Sequence, residues 1–261
     1  MIAHRLAGDG DTLLLLNGGF MSMAAWDPIA TPLERLFRVL RCDFRGQLLS
    51  PGPPPATLAG HLEDVVALLD HVGIGAVHVV GASFGAMVGL LLAARRPDRV
   101  RSLAAITAAE RVPEEQREPA RLLREACRAA ARGDDWGRVF DLIVPGTFSD
   151  AYVAANGEAL SERRRQVAAL PAWWFEGAAG LLGALEELDL SGEVPSIRAR
   201  TLVLAAEGDR TFPPACSRAL AGGIAGARLT VLPGSGHELV AERPAEVVDQ
   251  LLAFLTDGGV T

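Results

Sequence analysis

The sequence predicts an α/β protein with a mostly parallel sheet flanked by helices and interrupted by a helical insertion. Three observations carry this. Short apolar runs alternate with segments of helical periodicity, the pattern that builds a parallel sheet. Turns rich in Gly, Asn and Asp separate them. The alternation stops over residues 110–190, where Ala, Leu, Arg and Glu dominate and no strand is convincing, and then resumes. Residues 1–109 and 191–261 are expected to form the core, with 110–190 as a cap on it.

Taken in order, Thr12–Leu16 is an apolar strand entering the glycine loop Asn17-Gly18-Gly19. Residues 26–37 read as a helix with Pro28 and Pro32 near its start, followed by a strand at 37–42. Residues 57–72 carry Leu58, Leu62, Val65, Val66, Leu68 and Leu69 at helical spacing, with Thr57 as N-cap. A strand at 77–80 runs through Gly81 into a helix at 84–95, and Val100–Ile106 is the next strand. Within the insertion, residues 121–132 are a clear helix, with weaker ones at 136–144, 161–170 and 173–188. Arg200–Ala206 and 227–232 are strands; 214–221 and 245–255 are helices.

Composition excludes several classes. Hydrophobic residues make up 49 % and charged residues 22 % of 261, as in a globular domain rather than a disordered tail. The net charge of −7 with scattered basic residues gives no footprint for nucleic acid or an anionic membrane. Cys42, Cys127 and Cys216 lie far apart, with neither zinc-ligand spacing nor a disulfide framework. They read as thiols in a reducing compartment, so a cytoplasmic location is expected. Residues 1–10 lack a signal-peptide pattern. Residues 74–94 mimic a membrane helix in length and in the spacing of Gly81, Gly85 and Gly89. The break at Gly81 after a β-branched run favours a buried strand, turn and helix instead.

Gly81-Ala82-Ser83-Phe84-Gly85 matches G-x-S-x-G between a strand and a helix. A nucleophile must stand clear of the sheet, which demands a sharp turn and small residues two places either side. The helix then aims its first N–H groups at the reaction centre. The competing reading is a glycine turn with an incidental serine.

A serine needs a base. His4 is near the terminus, His61 and His71 lie on a helix and His78 within a strand. His237 lies in Pro233-Gly234-Ser235-Gly236-His237, a loop at a strand's C-terminal end, where open α/β sheets place functional groups. The imidazole needs an acceptor, and Asp209 follows the strand ending at Ala206, with Glu207 as its competitor. The oxyanion donors are expected to be the N–H of Phe84 and, from the Asn17 loop, that of Gly19 or else Phe20.

With these pieces the sequence resembles the α/β-hydrolase superfamily. The resemblance rests on Leu13 to Gly18, Asp43-Phe44-Arg45-Gly46-Gln47, the elbow around Ser83, Thr201 to Asp209 and Gly234 to His237. It is most similar to small capped esterases and lactonases, including enol-lactonases and non-haem haloperoxidases. It implies the α/β-hydrolase fold with a helical cap between the family's sixth strand and its acid-bearing strand. Asn17 stands where the family usually has His, and Leu48 where it usually has Gly. The expected activity is cleavage of a small carboxylic ester, thioester or lactone through an acyl group on Ser83, with His237 as base, Asp209 as orienting acid and no metal or cofactor. Met21, Phe20, Phe148, Trp173, Trp174 and Phe175 are the expected pocket lining. A small-molecule substrate is the expected partner, and a homo-oligomer is allowed. The alternatives are a carbon–carbon bond hydrolase or perhydrolase with the same triad, or a non-catalytic receptor.

Overall fold

A computed structural model describes residues 1–186 and 188–257. In chain order the elements are β1 (His4–Ala7), β2 (Thr12–Leu16), α1 (Asp27–Leu33), β3 (Arg38–Cys42), α2 (Leu58–His71), β4 (Val77–Ala82), α3 (Phe84–Arg95) and β5 (Val100–Ile106). Five insertion helices follow: α4 (Glu114–Ala131), α5 (Gly137–Thr147), α6 (Asp150–Ala155), α7 (Gly157–Ala168) and α8 (Ala172–Gly183). The core closes with β6 (Arg200–Ala206), α9 (Pro214–Gly223), β7 (Arg228–Leu232), α10 (Leu239–Glu242) and α11 (Pro244–Thr256).

The strands form one sheet in the order β1-β3-β2-β4-β5-β6-β7, parallel except for β1 against β3. Strands covered on both faces read as unbroken apolar runs, which is why β2, β4, β5 and β6 are visible in sequence. One face packs on α2, α3 and α9, the other on α1 and α11. Thr57 caps α2 by accepting the Gly60 N–H. Among the described residues no helix is long and apolar enough to cross a membrane.

Chain order reverses at β2, whose neighbours are β3 and β4. Such a switch opens a crevice at the strands' C-terminal ends. The register pairs Leu16 with Gly81, so the loop after β2 lies beside the turn after β4. The turns after β6 and β7 meet at the same rim, where Glu207 N–H donates to Leu232 O at 3.0 Å and Gly208 N–H to Ser235 O at 2.9 Å.

The insertion is tied at its base: Leu190 N–H donates to Glu110 O at 2.8 Å, and Arg111 bridges Asp189 antiparallel. It leaves the sheet after β5 and returns to it at β6, the strand that leads to Asp209. It carries its own apolar cluster, including Cys127, Val139, Trp174 and Phe175. The edge strand β1 and the short helices α6 and α10 are additions to the sequence reading. The helix expected at 173–188 runs from Ala172 to Gly183, and its expected extension includes Glu187, outside the described residues.

Candidate active site

Ser83 sits between β4 and α3 with φ 49° and ψ −115°, in left-handed space that non-glycine residues rarely occupy. The glycines around it are sterically required. A Cβ at Gly81 would fall 2.5 Å from the Ala86 nitrogen, and one at Gly85 would meet the carbonyls of Leu16 and Asn17. Ser83 N–H donates to Ile106 O at 2.9 Å, anchoring the turn to β5. Thr107, next along that strand, also has a positive φ, 46°, and lines the same cavity. Strain of this kind costs about 1–3 kcal/mol per residue and gathers at functional sites.

His237 comes from the loop after β7 and Asp209 from the turn after β6. Both residues are almost fully buried, with 6 % and 4 % exposed. His237 Nδ1 lies 2.8 Å from Asp209 Oδ2, and Nε2 lies 3.0 Å from Ser83 Oγ. A carboxylate only accepts, so the ring proton sits on Nδ1 and donates to Asp209. Nε2 then accepts from the Ser83 hydroxyl. The other oxygen of Asp209 accepts the N–H groups of Thr211 and Phe212, each at 2.8 Å, which fixes the carboxylate plane. Burial works against the His237 cation, yet the charge of Asp209 and its hydrogen bond outweigh that cost. They hold the imidazole pKa above its ordinary 6.5. Glu207 turns outward and accepts the Gly234 N–H at 3.0 Å, bracing the histidine loop.

The loop after β2 rests on a buried polar network. Asn17 Nδ2 donates to Asp43 at 2.9 Å and Gln47 at 3.0 Å, while its Oδ1 accepts from Trp26 Nε1 at 2.9 Å. Every polar atom of this buried amide is satisfied in the place usually held by histidine. Gln47 Nε2 donates to Gly18 O at 2.7 Å. A trans peptide points its carbonyl and its next N–H oppositely, so the Gly19 N–H is directed away from Gln47. Among the described residues the N–H groups of Gly19, Phe20 and Phe84 have no internal acceptor, and all three residues line the cavity. In the neighbouring loop the positive φ falls on Gly46, at 92°, so Leu48 needs none and instead joins the cavity wall.

The cavity above Ser83 and His237 has a volume of about 1200 Å³. Phe20, Met21, Phe148 and Trp174 line it; Trp173 and Phe175 do not. Consecutive helical residues point about 100° apart, so when Trp174 faces the cavity its neighbours turn away. Phe175 is buried in the cap's own cluster and Trp173 packs at its margin. Phe20 and Trp174 meet across the gap, ring centroids 6.0 Å apart.

Three contributors escape the sequence reading as site residues. Asp43 and Gln47 hold the loop after β2 as described. Glu242 accepts from Ser149 N–H at 2.8 Å, Ser149 Oγ at 2.7 Å and Gly236 N–H at 3.2 Å. It thereby ties the cap to the residue before His237. Asp43 and Gln47 lie in the Asp43-to-Gln47 motif, which was a usable signal; nothing local marks Glu242.

A family model described as alpha/beta hydrolase fold matches residues 11–244. A protein of Variovorax paradoxus (strain S110) named "Putative carbamate hydrolase RutD" is 32 % identical over 256 residues, covering 95 % of this chain and 92 % of its own. The crystal structure of the enol-lactonase from Burkholderia xenovorans LB400 superposes with a TM-score of 0.86 at 29 % identity, covering 98 % of this chain and 96 % of that one. A thermophilic esterase from Thermogutta terrifontis gives 0.84 at 26 %, covering 98 % and 93 %. With the strand order, the elbow and the match over most of its length, the chain belongs to the alpha/beta hydrolase fold family.

Proposed function

We propose that the protein is a serine hydrolase cleaving a carboxylic ester, thioester or lactone through an acyl group carried on Ser83. The observation that carries this reading is the unbroken hydrogen-bond chain Asp209–His237–Ser83 on a strained serine that opens to a cavity. Ser83 Oγ attacks the carbonyl carbon as its proton passes to His237 Nε2. The charge that develops on the carbonyl oxygen is received by the N–H of Phe84, with that of Gly19 or Phe20, at the positive end of α3. Collapse expels the alcohol, thiol or, in a lactone, the ring oxygen, which takes the proton from His237. Water then loses a proton to His237, attacks the acyl carbon and releases the acid, restoring the Ser83 hydroxyl. Asp209 remains ionised throughout and stabilises the imidazolium.

The thiols of Cys42 and Cys127 are pushed up to about 12 by burial, which suits packing rather than covalent chemistry. A cytoplasmic setting goes with this reading. A second reading follows from the relative named for carbamate hydrolysis: a carbamate carbonyl would be attacked by the same groups. Carbon–carbon cleavage and peracid formation need the same triad, and assays on a dienoate ketone and on peroxide separate them from ester cleavage. Ser83→Ala should lower ester turnover by about 10⁴-fold or more while leaving the urea unfolding midpoint near that of the parent. Unchanged hydrolysis in that variant would sink the assignment.

A further inference from the structure

Resting on that reading, we infer that the substrate is an ester carrying a large apolar chain rather than a carbamate or a compound that seats a carboxylate in the interior. Ligand sites usually measure about 300–1,000 Å³, and this one is about 1200 Å³. A carbamate, only a few times the ~30 Å³ share of one water molecule, would leave nearly all of it to solvent. The inner walls are apolar: Val112, Leu123, Phe140, Ile143, Val167 and Leu182 stand on them, all half-buried or buried.

Apart from Glu238, half-buried next to His237, the charged side chains of the lining stand at the exposed edge. Arg117, Arg121, Arg163, Arg210 and Glu186 are all exposed, and Arg117, Arg121 and Arg210 are paired with Glu114, Glu118 and Asp150. A substrate carboxylate taken into the interior would need a cation there, because an unpaired buried charge is costly. Among the described lining residues no buried Lys or Arg meets that need. The chemistry left for the interior is hydrocarbon.

The test uses two ester series with the intact protein, kept below their micellar concentrations. One is nitrophenyl esters of acids from two to twelve carbons; the other is acetates of alcohols over the same range. Each buried methylene is worth at most about fourfold. The expected result is a rise in kcat/KM of at least tenfold from the two-carbon to the ten-carbon member in one series, which also says which side of the ester carries the chain. Leu123→Trp or Val167→Trp should shrink that ratio. Activity that is flat or falls with length in both series overturns the inference. Calorimetric binding to Ser83→Ala tests the cavity apart from turnover: the ten-carbon ester should bind at least tenfold tighter than the two-carbon one, and equal binding overturns it. Failure of a fluorophosphonate to label Ser83 in the parent protein would instead count against the hydrolase reading itself.

Discussion

The rim of the sheet and the cap are held together by different physics. At the rim, buried polar groups fix one another: Asp209 and Asn17 have a partner for each polar side-chain atom, and Asp43 accepts from Asn17 and from the N–H groups of Met23 and Leu49. The cap packs Cys127, Val139, Trp174 and Phe175 together and dresses its outer face with exposed ion pairs such as Arg165–Glu162. Buried polar bonds specify position, because leaving one unmade costs more than making it gains. Apolar walls specify volume and tolerate exchange. Geometry for chemistry thus resides in the rim and room for substrate in the cap.

After Ser83→Ala, the largest effect should come from Asp209→Asn, which removes the charge that offsets the burial of the His237 cation. Turnover should fall roughly 10³–10⁴-fold. In the parent protein kcat/KM should fall as pH drops through a His237 pKa above 6.5, because only the neutral ring is a base. Without the Asp209 charge, burial prevails and that acidic limb should move to lower pH. A pH–rate profile of both proteins checks this; an unmoved limb contradicts the assigned partner.

Next is His61, buried against Phe44 and Phe84 with no hydrogen-bond partner for either ring nitrogen among the described residues. Burial pushes its pKa down to about 4, against the pull of the Asp64 charge and of the Pro55 carbonyl, which lies near the ring without making a well-formed hydrogen bond. Below pH 6.5 the unfolded chain takes up a proton that the folded ring refuses until about pH 4. Stability should therefore fall across that window, by roughly 3 kcal/mol from this group, and its contribution should level off below it. Urea titrations at several pH values, compared with those of His61→Phe, isolate it.

Gln47→Glu keeps the acceptor for Asn17 and Phe44 but loses the donor to Gly18 O. It should lower kcat roughly 10–100-fold with KM nearly unchanged, less than loss of an oxyanion donor itself. An equal change in KM and none in kcat would place Gln47 in substrate binding instead. At the small end, Arg165→Ala should leave the urea midpoint unchanged within error, since exposed ion pairs contribute little.

These regions were also unequally legible in sequence. Strands buried on both faces announce themselves as Val- and Leu-rich runs, and Ser83, Asp209 and His237 each stand in a glycine-marked turn at a strand end. The β1 strand did not show, because an edge strand reading His-Arg-Leu-Ala, with its first two residues exposed, has no apolar pattern. The helix read from 121 begins at Glu114, since Pro119 inside it looks like a break. Composition groups Trp173 and Phe175 with Trp174, but on this helix only Trp174 faces the cavity. Glu242 acts through a contact 93 residues away, which no local pattern encodes, whereas Gln47 stands in a readable motif and only its partner Gly18, 29 residues away, is hidden.

The central claim is a covalent intermediate on one serine. Mixing the protein with excess activated ester, quenching in acid within the first turnovers and weighing the intact chain should reveal one added acyl mass per molecule. Digestion should locate it on the peptide containing Ser83, and Ser83→Ala should carry none. Steady turnover with no added mass, or the same adduct on the Ser83→Ala chain, would contradict the account.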